Sequence, residues 1–430
     1  MKRTIALLLL LASALACRAQ SVTLEECQTR ARENYPLVEQ RGLIDKLEEF
    51  NISNARRNWL PKVSLSAMAA YVSEMPEFPA SLGNMFAQLG IDFGGSMPNT
   101  LYGGAVQVQQ AIWDGGLIKA QSEAAKAEAE VSRRSWDADM YALRERVNQL
   151  YFGALLLQEN IRTADMLIAD LERNCKTLEA MVELGVAGSS DLDKLRVELL
   201  GARQQRSQLD ANRRAYMAML GIMTGMEFTA ATTLEKPVPD KPAAYEPERP
   251  EFALFDAQEG LLEAQRRAVN ASVMPQIGAF VTGVYSSPSP NIFASMDGSR
   301  EWSPYLFAGI SLKWNIDGFY TKKNRMQQIE LNRRKLDMQR EVFRYNLHLK
   351  GSQEMAAIEQ MEEVMRYDDS IIELRNSIRL RTEAQVETGD ASVNDLLDDI
   401  SAEDRARQNK TAHEVEWLKN IYDLKYTINR

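Results

Sequence analysis

Apolar side chains recur in steps of three and four from Met140 to Val182: Met140, Leu143, Val147, Leu150, Ala154, Leu157, Ile161, Ala164, Ile168, Leu171, Cys175, Leu178 and Val182. This is a heptad seam, with Arg, Glu, Asp and Gln on the other faces, and it predicts a helix packed along its length on partner helices. Leu117 to Leu184 holds no proline and a single glycine, Gly153. An unbroken helix of that length extends about 100 Å at about 1.5 Å per residue. Moving the seam 204 positions along gives Arg344, Leu347, Gly351, Glu354, Ile358, Met361, Met365, Asp368, Ile372, Arg375, Arg379, Thr382 and Val386, of which only six are apolar. A second long helix, 320–388, is thus expected with a more polar seam. Either part of it faces a water-filled interior, or the second copy is read one frame off.

Another rhythm has period two. Ile310, Leu312, Trp314 and Ile316 alternate with Ser311, Lys313 and Asn315, and Val106, Val108 and Ile112 alternate with Gln107, Gln109 and Ala111. Strands of about 12 residues follow at roughly 62–74, 101–113, 276–287 and 304–316, each with one apolar and one polar face. Aligned on Asp114 and Asp317, the apolar phase of the two copies differs by one residue. A bulge near Gln109-Gln110 accounts for that.

These elements make one plan, used twice. Leu60-Pro61-Lys62-Val63 corresponds to Met274-Pro275-Gln276-Ile277, Asp114-Gly115 to Asp317-Gly318, and VELGVAGSSDL at 182–192 to VETGDASVNDL at 386–396. Each copy runs helix, strand, loop, strand, very long helix, glycine break, helix. The first spans 20–235, with its tip at 185–190 and a returning helix over 191–223. The second spans 251–430, with its tip at 389–394 and a returning helix over 395–428. A Pro-rich connector, 236–250, joins them. Thr23-Leu24-Glu25-Glu26 is a capping box opening the first helix. Pro36 breaks that helix and a further one covers 37–59, while Pro250 starts the matching helix of copy two, which ends near Val273. Gly185 and Gly389 are expected at positive φ, with Ser189, Ser190 and Asp191, or Ser392 and Asn394, capping the returning helices.

Lys2 and Arg3, the apolar run from Ile5 to Leu15, and Ala14-Leu15-Ala16-Cys17-Arg18-Ala19 form a secretory signal over 1–19. Lipid attachment at Cys17 is the alternative processing. Without Lys2, Arg3 and Arg18 the 51 basic residues become 48 against 60 acidic, so the net charge moves from −9 to −12. That balance excludes nucleic acid as a partner. Cys27 and Cys175 are far apart with no CxxC, and His348 and His413 have no metal-ligand spacing. Neither a phosphate-binding glycine loop nor an acid–base pair in a pocket motif is present, so no enzyme and no cofactor is expected. No later run of about 18 apolar residues exists to form a transmembrane helix. Membrane entry therefore falls to the strands, whose alternation and Tyr and Trp content suit a barrel with a wet lumen, although a soluble sandwich fits the strand chemistry equally well. Four strands cannot close a barrel, which needs about eight at the least, and open edges in lipid leave backbone groups unsatisfied. Several chains must then pool their strands.

Thr23-Leu24-Glu25-Glu26-Cys27, Glu33-Asn34-Tyr35-Pro36, Trp59-Leu60-Pro61, Trp113-Asp114-Gly115-Gly116, Arg249-Pro250-Glu251-Phe252, Val273-Met274-Pro275 and the two glycine breaks occur in one order across Ser21 to Asn429. In this the chain resembles the TolC-like outer-membrane efflux channels of Gram-negative bacteria. The resemblance implies a mixed α and β membrane protein, a homotrimer with four strands per protomer in a shared 12-stranded β-barrel set in outer-membrane lipid, and a long periplasmic α-helical barrel. It implies an exit duct joined by a periplasmic adaptor to an inner-membrane pump, with small toxic compounds or drugs as cargo. The same duct serves type I protein secretion or metal-ion efflux in the alternative, and a structural coiled-coil surface protein is the reading from another class. The adaptor would meet the tips: Gly185, Val186, Ser189, Ser190 and Asp191 in the first, Gly389, Asp390 and Ser392 in the second. The family's Asp-x-x-Asp matches Asp395-Leu396-Leu397-Asp398, with Asp399 beside it; repeated three times these would ring the periplasmic entrance, select cations and accept divalent ions as blockers. Where family members place a basic latch residue in the second tip this chain has Ala391, leaving Arg379 or Arg381 as substitutes. Copy two carries acids without a base at its tip, whereas copy one has Lys194 beside Asp191 and Asp193, so the second tip is the expected gate.

Overall fold

The computed structural model describes residues 21–74, 79–90, 99–242, 246–287, 289 and 302–429. The signal segment 1–19, parts of the first inter-strand loop and part of the Pro-rich connector lie outside the described residues. In chain order the elements are β1 (Ser21–Val22), α1 (Leu24–Asn34), a 3-10 turn (Pro36–Glu39), α2 (Gln40–Arg57), β2 (Lys62–Tyr71), α3 (Ala80–Gln88), β3 (Thr100–Trp113), α4 (Leu117–Glu183), α5 (Ser189–Thr224), β4 (Thr233–Leu234), α6 (Pro250–Ser272), β5 (Gln276–Ser287), β6 (Ser303–Lys313), α7 (Gly318–Thr388) and α8 (Val393–Ile428). Three elements have no counterpart in the sequence reading: α3, and the short strands β1 and β4, which pair in parallel.

The chain folds into two compact units that cut across the sequence repeats. One unit gathers residues up to Gly42 with Arg133–Phe255 and Met338–Arg430; the other gathers Leu43–Ser132 and Asp256–Asp337. The duplication is therefore one of connectivity, since each unit draws on both copies.

The first unit has its core where Leu24 and Cys27 of α1 meet Val147, Tyr151, Phe152 and Leu155 of α4, Leu220 of α5, and Ile421 and Ile428 of α8. Thr23 caps α1, its hydroxyl accepting from the Glu26 amide at 3.2 Å. The Tyr151 hydroxyl, fully buried, lies 2.7 Å from the Glu235 carbonyl and 2.8 Å from that of Val22 and donates across the β1–β4 pair. Gln158 continues that small sheet with a side chain. Its amide donates to the Leu234 carbonyl at 3.0 Å and accepts from the Leu234 amide at 2.9 Å, which satisfies an edge that would otherwise be buried unpaired. Gly153, the one glycine of α4, is fixed by contact: a Cβ there would sit 2.4 Å from the Tyr216 ring of α5.

The second unit is built on a four-stranded antiparallel sheet in the order β2-β3-β5-β6. The register between β3 and β5 shifts between Ala111 and Trp113, so the irregularity lies slightly beyond the Gln109-Gln110 position expected for it. The shift offsets the phase difference noted in the sequence, and apolar side chains from both copies share one face. Asp114, buried, anchors the start of α4 by accepting from the Gly116 amide at 3.0 Å and from the Ile118 amide.

Candidate functional site

Both glycine breaks close with the same backbone. After α4 the Gly185 amide donates to the Val182 carbonyl at 3.0 Å and the Val186 amide to Met181 at 2.9 Å. After α7 the Gly389 amide donates to Val386 at 3.2 Å and the Asp390 amide to Gln385 at 2.8 Å. These nested bonds are Schellman motifs, which satisfy the last orphan carbonyls of a helix and require a left-handed residue. Gly185 and Gly389 supply it at φ +76° and +80°. Nothing lies within 4 Å of a Cβ at either position, so glycine is needed here for its conformation and not for space.

The returning helices start differently. Gly188 is the N-cap of α5 and makes no side-chain cap; Ser189 and Ser190 already lie in the first turn, so the expected serine cap of copy one is corrected to a glycine one. Asp191 pairs there with Lys194 at 3.0 Å. Ser392 caps α8 in a complete capping box with Asp395. The Ser392 hydroxyl accepts from the Asp395 amide at 3.2 Å, and the Asp395 carboxylate accepts from the Ser392 amide at 3.0 Å. The bond from the Ser392 hydroxyl, then that from its amide, holds the exposed Asp395 carboxyl below the usual range. Asp398 is exposed. Asp399 accepts from the Thr382 hydroxyl at 2.7 Å and ties α7 to α8. Among the three acids of this stretch, Asp395 thus has a local task in the cap and Asp399 one between helices. The side chains flanking the two turns also differ: Leu184 and Val186 stand 78% and 67% exposed, against Thr388 and Asp390, whose side chains bond to each other at 2.8 Å.

The seams above the turns differ as well. In α4 the thirteen heptad positions are buried or half-buried, and exposed ion pairs to α5 flank them: Arg196–Glu179 at 2.8 Å, Arg203–Glu172 at 2.6 Å and Arg206–Asp165 at 2.9 Å. In α7 the transferred positions Leu347, Gly351, Glu354, Ile358, Asp368, Arg379, Thr382 and Val386 are buried. The frame of the transfer holds, and these polar residues face partners in the same chain rather than open solvent. Arg379 donates to Glu403 of α8 at 2.6 Å, to Glu383 at 2.9 Å and to Asn376 at 3.0 Å. Glu403, 3% exposed, also meets Arg407. Asp368 meets His413 at 2.9 Å, and Glu354 accepts from the Thr427 hydroxyl at 3.0 Å. Burial pushes the Glu354 carboxyl up to about 7, against the smaller pull of Thr427 and Lys350, and pushes Asp404 up to about 6. Arg379, held in this way, is committed within its own hairpin.

The sheet separates two chemistries. One face carries Val63, Leu65, Val106, Val108, Val281, Leu306, Ile310 and Leu312, paired across the strands by register; Leu65, Leu306 and Ile310 are each more than 70% exposed. The other carries Lys62, Ser64, Gln107, Gln109, Thr282, Ser311 and Lys313, with Phe280 and Phe307 among them. Trp113 stands near one end of the apolar face, and Tyr71, Tyr102 and Tyr285 near the other. An apolar face with aromatic side chains towards its ends, backed by a more polar face, suits a strand set in a bilayer. No helix among the described residues is long and apolar enough to cross a membrane.

Residues 29–225 match the family model of outer membrane efflux proteins. Over that stretch, somewhat under half of its length, the chain is similar to the outer membrane efflux protein family. The fold of the chain is that of several solved outer membrane channels. The Campylobacter jejuni CmeC outer membrane channel shares it at TM-score 0.66 and 13% identity, over 94% of this chain and 85% of that one. The Vibrio cholerae outer membrane protein VceC does so at 0.68 and 10%, over 94% and 95%. The Neisseria gonorrhoeae MtrE outer membrane channel in its open state does so at 0.61 and 17%, over 94% and 88%. No curated protein matches the sequence.

What sequence reasoning missed in this chain is the set of α8 partners, Glu403, Asp404, Arg407 and His413. A signal for them existed. A polar seam in a helix whose partner carries ionic groups at matching heptad spacing points to buried pairing, and α8 has Glu403, Arg407 and Lys410 in steps of four and three.

Proposed function

We propose that three copies of the chain pool their sheets into one 12-stranded barrel and act as the outer-membrane exit duct of a tripartite efflux system. The observation that carries this is the sheet itself, which has one largely apolar face and two open edges, β2 and β6. In lipid those edges must pair. The four strands alternate in direction, so β6 of one copy and β2 of the next meet antiparallel and the ring closes on an even strand number, as in bacterial outer-membrane barrels. The helices support the same reading. Met338, Val342, Tyr345 and Leu349 form a second apolar run on α7 in steps of three and four, and Tyr367, Ile371, Leu374 and Ile378 form another; all are exposed in the single chain. Such runs suit packing on helices of a neighbouring copy.

In this reading the turns at Gly185 and Gly389 meet a periplasmic adaptor that links the duct to an inner-membrane pump. Asp398, exposed beside the Asp395 cap, repeats three times around the entrance. Small toxic compounds are the cargo. Light scattering of the detergent-purified protein should give a particle of three chains, and planar bilayers should record steady single-channel current from it. A one-chain or two-chain particle, or a three-chain particle that does not conduct, overturns the proposal.

A further inference from the structure

The four strands of the sheet contain no acidic residue and only two charged side chains, Lys62 and Lys313. Both stand at the same end of the sheet, Lys62 opposite Gln109 and Lys313 opposite Gln276, on the polar face. They line one open cleft of about 320 Å³ whose other polar groups are mainly amides, among them Asn58, Gln109, Gln121 and Gln276. Neither lysine has an ion-pair partner among the described residues. The one acid in the cleft, Asp114, is buried and turned to the amides of Gly116 and Ile118. A chain of net charge −9 therefore keeps an uncompensated positive patch surrounded by side chains that donate hydrogen bonds.

We infer that Lys62 and Lys313 form a transit site for anionic groups, carboxylate or phosphate, on solutes that cross the barrel. The inference rests on the duct reading above, because it places the polar face in the lumen. Three copies would then set six lysines around one level of the barrel. Rings of lysine or arginine are the means by which pores favour anions. The charges would lie in a narrow lumen enclosed by a low-dielectric wall, where screening by salt is weaker than on an open surface. The amides supply short hydrogen bonds to the same oxygens and let the anion exchange between copies. A site of this kind holds its ligand weakly enough to release it, which conduction requires. Its chemistry is opposite to that of the acids at the second hairpin turn.

The experiment uses the purified full-length protein in planar bilayers, with inorganic pyrophosphate in one arm and citrate in the other, added on the barrel side. Wild-type current should show voltage-dependent block by at least one of them, and the arm that blocks assigns phosphate or carboxylate. Lys62→Gln/Lys313→Gln should weaken that block about tenfold, Lys62→Arg/Lys313→Arg should keep it, and Glu172→Gln, in an exposed pair between α4 and α5, should leave it unchanged. No block of the wild type, or equal block of the Gln variant, overturns the inference while leaving a conducting duct in place; in that case the lysines only guard the open sheet edges against pairing. A protein that does not conduct overturns the duct reading and this inference with it.

Discussion

The α4–α5 hairpin and the α7–α8 hairpin turn on the same backbone motif, but what holds their arms together differs. In the first, apolar side chains fill the seam and the charges stand outside it, exposed. In the second the charges have moved inside: Arg379 and Glu403 are 5% and 3% exposed. The physical consequence is a difference in tolerance. An apolar seam is non-directional and keeps most of its energy if the arms slide slightly. A buried ion pair adds little net stability over an apolar replacement, yet removing one partner is severe because a desolvated charge remains. The second hairpin is therefore specified in register more sharply than it is stabilised.

The strongest way to break the contrast is at Arg379. Arg379→Ala should destabilise the second hairpin by about 3 kcal/mol, the lower end for a broken buried pair because Arg407 still faces Glu403. Arg379→Leu/Glu403→Leu should recover most of that loss. Apparent Tm of the purified protein, with hydrogen exchange read separately on the two hairpins, checks both. Equal loss in the single and double variants would mean that the pair stabilises the arms and does not merely align them.

Next in size is a pH dependence confined to the second hairpin. Glu354 faces Lys350 on its own helix, Thr427 and Asp423 on α8, and Glu145 on α4. Its folded value of about 7 lies above the ordinary 4.5, so between those values the folded chain holds a proton that the unfolded chain has released. Its contribution is complete below about pH 4.5 and declines by roughly 2 kcal/mol as pH rises towards 7. Asp404, raised to about 6, acts in the same direction at lower pH. Glu354→Gln keeps the oxygen that accepts from Thr427 and should flatten the Tm profile between pH 5 and about 7. An unchanged slope in the variant would assign the dependence elsewhere.

The smallest effect belongs to the first hairpin. Its surface pair Arg203–Glu172 should contribute about 0.5 kcal/mol in a double-mutant cycle and vanish in high salt. A coupling above about 1.5 kcal/mol would show that charges matter as much outside the first seam as inside the second.

Much of this architecture could be read from the sequence, and the reasons are local. Proline and glycine punctuate both long helices, so α4 and α7 end at Glu183 and Thr388, within about one residue of the spans read from the chain. The positive φ at Gly185 and Gly389 follows from a glycine at the end of an apolar period. What stayed hidden depends on distance along the chain. The capping role of Asp395 was masked by its agreement with an acidic motif, and the buried charges of α7 could not be paired until their partners on α8, 24 to 73 positions away, came into register. The helix α3 sits in a loop rich in Gly, Pro and Met, where periodicity carries no signal.

The two turns have one more consequence. Their shape is written in backbone hydrogen bonds and one left-handed glycine each, with empty space where a side chain would begin. Shape and surface are thus separate variables. Leu184 and Val186 can stand at one turn and Thr388 and Asp390 at the other without altering the path of the chain. Substitution at such a place changes what the loop presents and leaves the fold intact.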